Sequence, residues 1–144
     1  MTEPLSSALL MFVSHRAAEN RVYDAVRAAG FGDLTMAQCR IAQRLSPDGI
    51  RVTDLAEAAQ VTKQTAGALV DELERAGYVT RIPDPADARA RLVLLSTRGA
   101  ALCALAATEV AAIETEWRDH LSPQAYHQLR DALVALREIT DPDR

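Results

Sequence analysis

The sequence predicts a mainly α-helical chain carrying one small β element, and three features predict it. Apolar residues recur at helical spacing along much of the length. The stretch from Tyr78 to Leu95 instead has strand-like runs on either side of a Pro83-Asp84-Pro85 turn. Serine or threonine stands before several helical segments, and glycine ends the first and the fourth.

Leu5 to Ala29 carries a helical stripe of Leu9, Phe12, Val13, Ala17, Val22 and Val26, and Gly30 ends it. Thr35 is the expected N-cap of a second helix reaching Leu45, with Met36, Ile41, Ala42 and Leu45 turned inward. Pro47-Asp48-Gly49 then makes a turn, Ile50-Arg51-Val52 is extended, and Thr53 is the expected cap of a short helix burying Leu55, Ala56 and Ala59. Thr62 caps the next helix, where Ala66, Leu69, Val70 and Leu73 follow the i, i+3, i+4, i+7 rule up to Gly77. Two short strands, Tyr78 to Ile82 and Leu92 to Leu95, form a hairpin whose loop exposes Arg89 and Arg91. Ser96 caps a long helix with contact positions at Leu102, Leu105, Val110, Ile113 and Trp117. Ser122-Pro123 starts the last one, with a seam of Tyr126, Leu129, Leu133 and Leu136.

With 144 residues and 49% hydrophobic content, the chain suits one domain with a real core. The apolar run Ala8 to Val13 is too short to span a bilayer and lacks a basic segment before it, so neither export nor membrane anchoring is expected. Cys39 and Cys103 match no disulfide framework or CxxC signature, and the expected location is a reducing cytoplasm. His15, His120 and His127 are scattered, and there is no phosphate loop, nucleophile elbow or Ser/His/Asp arrangement. No metal, cofactor or enzymatic activity is expected. The net charge of −4 argues against indiscriminate nucleic-acid binding, but its distribution is uneven. Thr35 to Gly99 holds nine Lys or Arg against eight Asp or Glu, while the remainder carries −5. Any DNA-binding face is therefore small and focused.

The residues in register with these elements resemble the MarR family of bacterial transcription regulators. Leu34-Thr35-Met36-Ala37-Gln38 is similar to that family's LTxxQ opening of the second helix. Leu55-Ala56-Glu57 and Val61-Thr62-Lys63-Gln64-Thr65 resemble its helix-turn-helix residues, and Leu69-Val70-Asp71-Glu72-Leu73-Glu74 with Gly77-Tyr78-Val79 its LVDxLExxGxV run. Asp84 to Val93 resembles the DPxDxRxxLV wing, and Leu95-Ser96-Thr97-Arg98-Gly99 its exit. The resemblance implies a winged helix-turn-helix with a two- or three-stranded wing. Residues 1–33 would be an N-terminal dimerisation helix, 34–99 the DNA-binding domain and 100–144 the C-terminal dimerisation helices, all in one compact chain. It departs from the family's pattern at Ala88, where many members have arginine, and at Gln60, where glycine is common. Cys39 and the Gly67-Ala68 pair depart from it too.

The expected function is sequence-specific DNA binding by a regulator, with a ligand-responsive repressor as the implied form. A helix starting at Thr62 presents Lys63, Gln64, Gly67 and Ala68 to a major groove. Gln64 can pair with adenine, Lys63 with guanine or phosphate, Ala68 with a thymine methyl, and Thr65 with a phosphate. Lys63 is the only lysine of the chain, and a cation in a first helical turn opposes the macrodipole, so helix stability does not explain it. Arg89 suits a narrow minor groove, Asp87 is expected to brace its guanidinium, and Arg91 to contact phosphate. Apolar stripes too extensive for a small winged domain to cover suggest a homodimer, and hence a pseudopalindromic operator.

The resemblance further implies a small aromatic or anionic effector, for which Phe12, His15, Arg16, Met36, Cys39 and Arg40 are the candidate lining. Two other readings of the same residues are a thiol-responsive regulator and a winged-helix dimer that contacts proteins and binds DNA little.

Overall fold

The computed structural model describes residues 3–142. Its elements are α1 (Ser7–Ala28), α2 (Met36–Ala42), α3 (Val52–Ala59), α4 (Lys63–Arg75), β1 (Val79–Asp84), β2 (Asp87–Leu95), α5 (Thr97–Leu121) and α6 (Pro123–Thr140). They fall into two compact units, one ending at Ala107 and one beginning at Thr108.

In the first unit, the Leu9 N–H donates to Ser6 Oγ and starts α1. Only the C-terminal half of that helix is anchored in the core, by Val22 and Val26, while Leu9, Phe12 and Val13 of the expected stripe stay exposed in the single chain. The LTxxQ residues form a capping box: the Gln38 N–H donates to Thr35 Oγ1, and the Thr35 N–H donates to Gln38 Oε1 at 2.9 Å. The other end of the Gln38 amide donates to Glu72 Oε2 at 2.8 Å, so one glutamine both starts α2 and ties it to α4. Helix α2 stops at Ala42, short of the expected Leu45. Pro47 disfavours helical geometry in the residue before it, and Ser46 closes a turn through the Gly49 N–H.

Thr53 is not the cap of α3. The cap is Arg51, extended at φ −72°, ψ 149°, with no side-chain capping bond. The reason is pairing: Ile50 alone bridges to Val93, through N–H to O distances of 3.1 and 2.9 Å, and the helix begins two residues later. Helix α3 turns Leu55, Ala56 and Ala58 inward, leaving Ala59 half-buried instead of buried. Thr62 does cap α4, whose Ala66, Val70 and Leu73 are fully buried.

Strands β1 and β2 are antiparallel, paired from Val79 with Leu95 to Pro83 with Arg91, then from Asp84 to Asp87. Ala88, Arg89 and Ala90 therefore have no partners across the hairpin and form a bulge next to Pro83, which lacks an N–H for the ladder. Strand β2 thus starts at Asp87, well before the apolar run at Leu92. With the Ile50 bridge the wing has two strands and a single-residue third contact.

The exit from the wing is tightly specified. Ser96 Oγ accepts the Gly99 N–H at 3.1 Å and donates to the Gly77 carbonyl at 2.6 Å. A Cβ on Gly99 would lie 2.1 Å from the Tyr78 carbonyl oxygen, which only glycine avoids. Tyr78 is fully buried, donates its hydroxyl to Asp33 Oδ1 at 2.6 Å, and has Arg98 4.4 Å above its ring.

In the second unit, Ser122 Oγ accepts the Ala125 N–H and Pro123 opens α6. Ile113 and Tyr126 are its buried residues, with Arg118 over the Tyr126 ring and Arg130 paired with Glu114 at 3.4 Å. Leu129, Leu133, Val134, Leu136 and Ile139 are exposed along α6, as is Val110 of α5, which helical periodicity assigns to a contact position.

Candidate nucleic-acid interface

With Ala66, Val70 and Leu73 turned into the core, α4 presents Lys63, Gln64 and Ala68 to solvent, and a Cβ on Gly67 would meet nothing within 4 Å beyond its own helix backbone and chain neighbours. The Thr62 hydroxyl holds the first turn: it accepts the Thr65 N–H at 3.1 Å and donates to Thr65 Oγ1 at 2.9 Å. Asp71, further along the same helix, is neutralised by Arg81 of β1, which reaches Asp71 at 2.7 Å and Glu74 at 2.9 Å. A concavity of about 710 Å³ follows the α3–α4 junction, lined by Thr53, Glu57, Gln60, Thr62, Lys63 and Thr65 among others.

The wing sorts its arginines. Arg81 is spent on α4, and Arg91 donates to the Arg81 carbonyl at 3.4 Å. Arg51, before α3, closes on Asp84 with Nε and Nη2 at 2.7 and 2.6 Å from the same oxygen. The Asp84 carboxyl is held below its usual range by the Ala86 N–H and then by Arg51. Among the described residues, the Arg89 and Lys63 side chains enter no ion pair. Asp87 braces the tip, but through the backbone: its Oδ1 accepts the Arg89 N–H at 3.0 Å rather than holding the guanidinium. The bulge leaves that N–H without a ladder partner, and the carboxylate supplies one.

Arg51, Asp84 and Arg81 were not singled out as site residues from sequence. No local signal marks Arg51, because it becomes the N-cap of α3 only once the Ile50–Val93 bridge sets where that helix begins.

The six candidate effector residues do not come together. Met36 and Cys39 line a cavity of about 20 Å³ with Glu19, Val22, Tyr23 and Cys103 among its other walls. Arg40 is not part of that lining and pairs with Glu19 at 2.9 Å, holding that carboxyl below its usual value. Phe12 and His15 are exposed on α1, with Arg16 5.7 Å from the Phe12 ring centre. Burial pushes the Cys39 thiol up to about 11, and raises Cys103 as well, so neither is an activated thiolate near neutral pH. Among the described residues, no cluster of three or more His, Cys, Asp or Glu could hold a metal ion, and no helix is long and apolar enough to cross a membrane.

The sequence profile of the MarR family matches residues 32–90. The transcriptional regulator HosA of Escherichia coli O111:H- is 34% identical over 91 residues, spanning 62% of this chain and 67% of HosA. The transcriptional activatory protein BadR of Rhodopseudomonas palustris is 37% identical over 79 residues, spanning 52% of this chain and 43% of BadR. Two solved structures share the fold. Apo MarR from E. coli superposes with a TM-score of 0.72 at 23% identity, over 94% of this chain and 98% of that one. NadR in complex with 4-hydroxyphenylacetate gives 0.73 at 22% identity, over 96% and 97%. The matched relatives are transcription regulators rather than enzymes. The profile match covers α2 to the wing tip, and the HosA match takes in two thirds of a known regulator: the chain belongs to the MarR family and is a winged-helix transcription regulator.

Proposed function

We propose that the chain acts as a homodimer on a pseudopalindromic operator, as an effector-responsive repressor. Helix α4 enters the major groove with Thr62, Lys63, Gln64, Thr65, Gly67 and Ala68, and the wing tip lays Arg89 in the adjacent minor groove, with Arg91 near the backbone. One observation carries this reading: Arg81 of the wing and Arg51 beside it are paired with carboxylates within the fold, while Arg89 and Lys63, at the tip and at the first turn of α4, enter no ion pair among the described residues. Their charges are therefore available to an external anion. Readout is lean, because Gly67 and Ala68 offer no side-chain hydrogen bonds, so DNA shape carries part of the preference.

A small aromatic or carboxylated effector fits the family's known ligand chemistry, and NadR's structure holds 4-hydroxyphenylacetate. In this chain the α1–α2–α5 cavity is about 20 Å³, far below what such a ligand fills. The effector therefore opens that cavity and acts by preferring the opened state.

The test is a salt titration of DNA binding. Arg89→Ala should weaken affinity across sequences and lower the slope of log K against log salt by about one unit, the signature of one lost phosphate-type contact. An unchanged slope contradicts the assignment.

A further inference from the structure

We infer that Arg51 and Asp84 form a positioning pair that presents the wing tip to DNA, so that Arg51 serves recognition without touching the duplex. The inference rests on the DNA-binding reading of the wing and adds two residues to it.

The two-stranded ladder is regular from Val79 to Pro83 and then breaks. Beyond that break lie Asp84, the Pro85-Ala86 turn and the bulge carrying Arg89. Below it the wing is tied down twice, by the Ile50–Val93 bridge and by Arg81 on Asp71 and Glu74. Above it, among the described residues, one ion pair joins the tip to the helical body: Arg51 with Asp84.

The geometry of that pair is selective. Both guanidinium nitrogens close on Asp84 Oδ2, which leaves Oδ1 to accept the Ala86 N–H at 2.9 Å. One carboxylate thus fixes the turn and anchors it, and Asp87 then fixes the Arg89 amide. The Asp84 side chain is 9% exposed against 38% for Arg51, so the pair is partly sheltered from water. Arg51 sits where a helix would use Ser, Thr, Asp or Asn, and α3 goes without a side-chain cap as a result. Local helix stability does not select this arginine, whereas holding the tip does.

The experiment is a double-mutant cycle on a duplex selected from random DNA by the wild-type protein. Arg51→Ala and Asp84→Asn should each weaken affinity about fivefold, and the double variant should be no weaker than either alone. Arg89→Ala should cost about tenfold in the wild type but only about twofold in the Arg51→Ala background, because a loose tip no longer delivers the arginine. Arg51→Lys, which keeps the charge, should recover part of the affinity. The salt slope should fall with Arg89→Ala, and by a similar partial amount with Arg51→Ala and Asp84→Asn, since each loosens that same contact. Additive losses at Arg51 and Arg89, or a slope lowered by Arg51→Ala with Asp84→Asn silent, would overturn the inference and make Arg51 a direct phosphate contact. Failure of the wild type to select any duplex would overturn the DNA-binding reading, and this inference with it.

Discussion

Gln60 adopts φ 55°, ψ 44°, the left-handed region that glycine enters without strain. It ends α3 in a Schellman arrangement, the Val61 N–H reaching the Ala56 carbonyl and the Gln60 N–H that of Glu57. Gly77 ends α4 in the same way at φ 84°. Gln60 recovers part of its strain through Nε2, which donates to the Glu57 carbonyl at 2.8 Å. Gln60→Gly should therefore stabilise the fold by about 0.5 to 1 kcal/mol, the left-handed penalty less the extra entropy glycine loses on folding. A lower urea midpoint would contradict this. Tyr78 gives a second prediction. Burial and then its hydrogen bond to Asp33 push the phenol up to about 12 from an ordinary value near 10. The folded state thus holds the proton more tightly, so the contribution is complete below pH 10 and is lost as pH rises through about 12. Urea stability should fall over that window, and less steeply in Tyr78→Phe.

At the scale of elements, α4 is the helix on which DNA reading depends in the proposed function, and Gly67 is its weak point. Glycine inside a helix costs about 1 kcal/mol relative to alanine, and here the space around it is open. Gly67→Ala should raise the melting temperature and weaken DNA binding, because the added methyl sits on the face proposed to approach the duplex. A stabilised variant with unchanged affinity would show that the glycine is a tolerated flaw. Most elements were legible in the sequence because caps and stops are local: Thr35, Thr62, Ser96 and Ser122-Pro123 each begin a helix through their own side chains. The start of α3 was misread because Thr53 looked like a cap, whereas the Ile50–Val93 bridge, a contact between residues far apart in the chain, sets where the helix begins. The candidate reading residues on α4 followed from helical periodicity. The anchoring of Asp84 and the partner of Asp87 did not, because the bulge that creates both depends on cross-strand register. The cavity beside Met36 and Cys39 was the least legible part, since residues of α1, α2 and α5 meet there only after folding.

At the scale of the molecule, the exposed apolar residues are concentrated toward the chain's two ends. Leu5, Leu9, Leu10, Met11, Phe12 and Val13 lie near the start, and α6 carries Val134 at 60% and Ile139 at 79% exposure. Surfaces of this kind mark an interface, and the proposed homodimer is the arrangement that would bury them in a second copy. Exposure of Val134 makes Val134→Glu a suitable probe, since the fold of the single chain does not need that side chain buried. The most direct test of the central claim is selection of duplexes from random DNA by the wild-type protein, with Val134→Glu alongside. Dimeric binding predicts enrichment of an inverted repeat with half-sites about one helical turn apart, bound by two chains, and loss of that enrichment in a monomeric Val134→Glu variant. Failure to enrich any sequence, or enrichment of a single half-site bound by one chain, would contradict it.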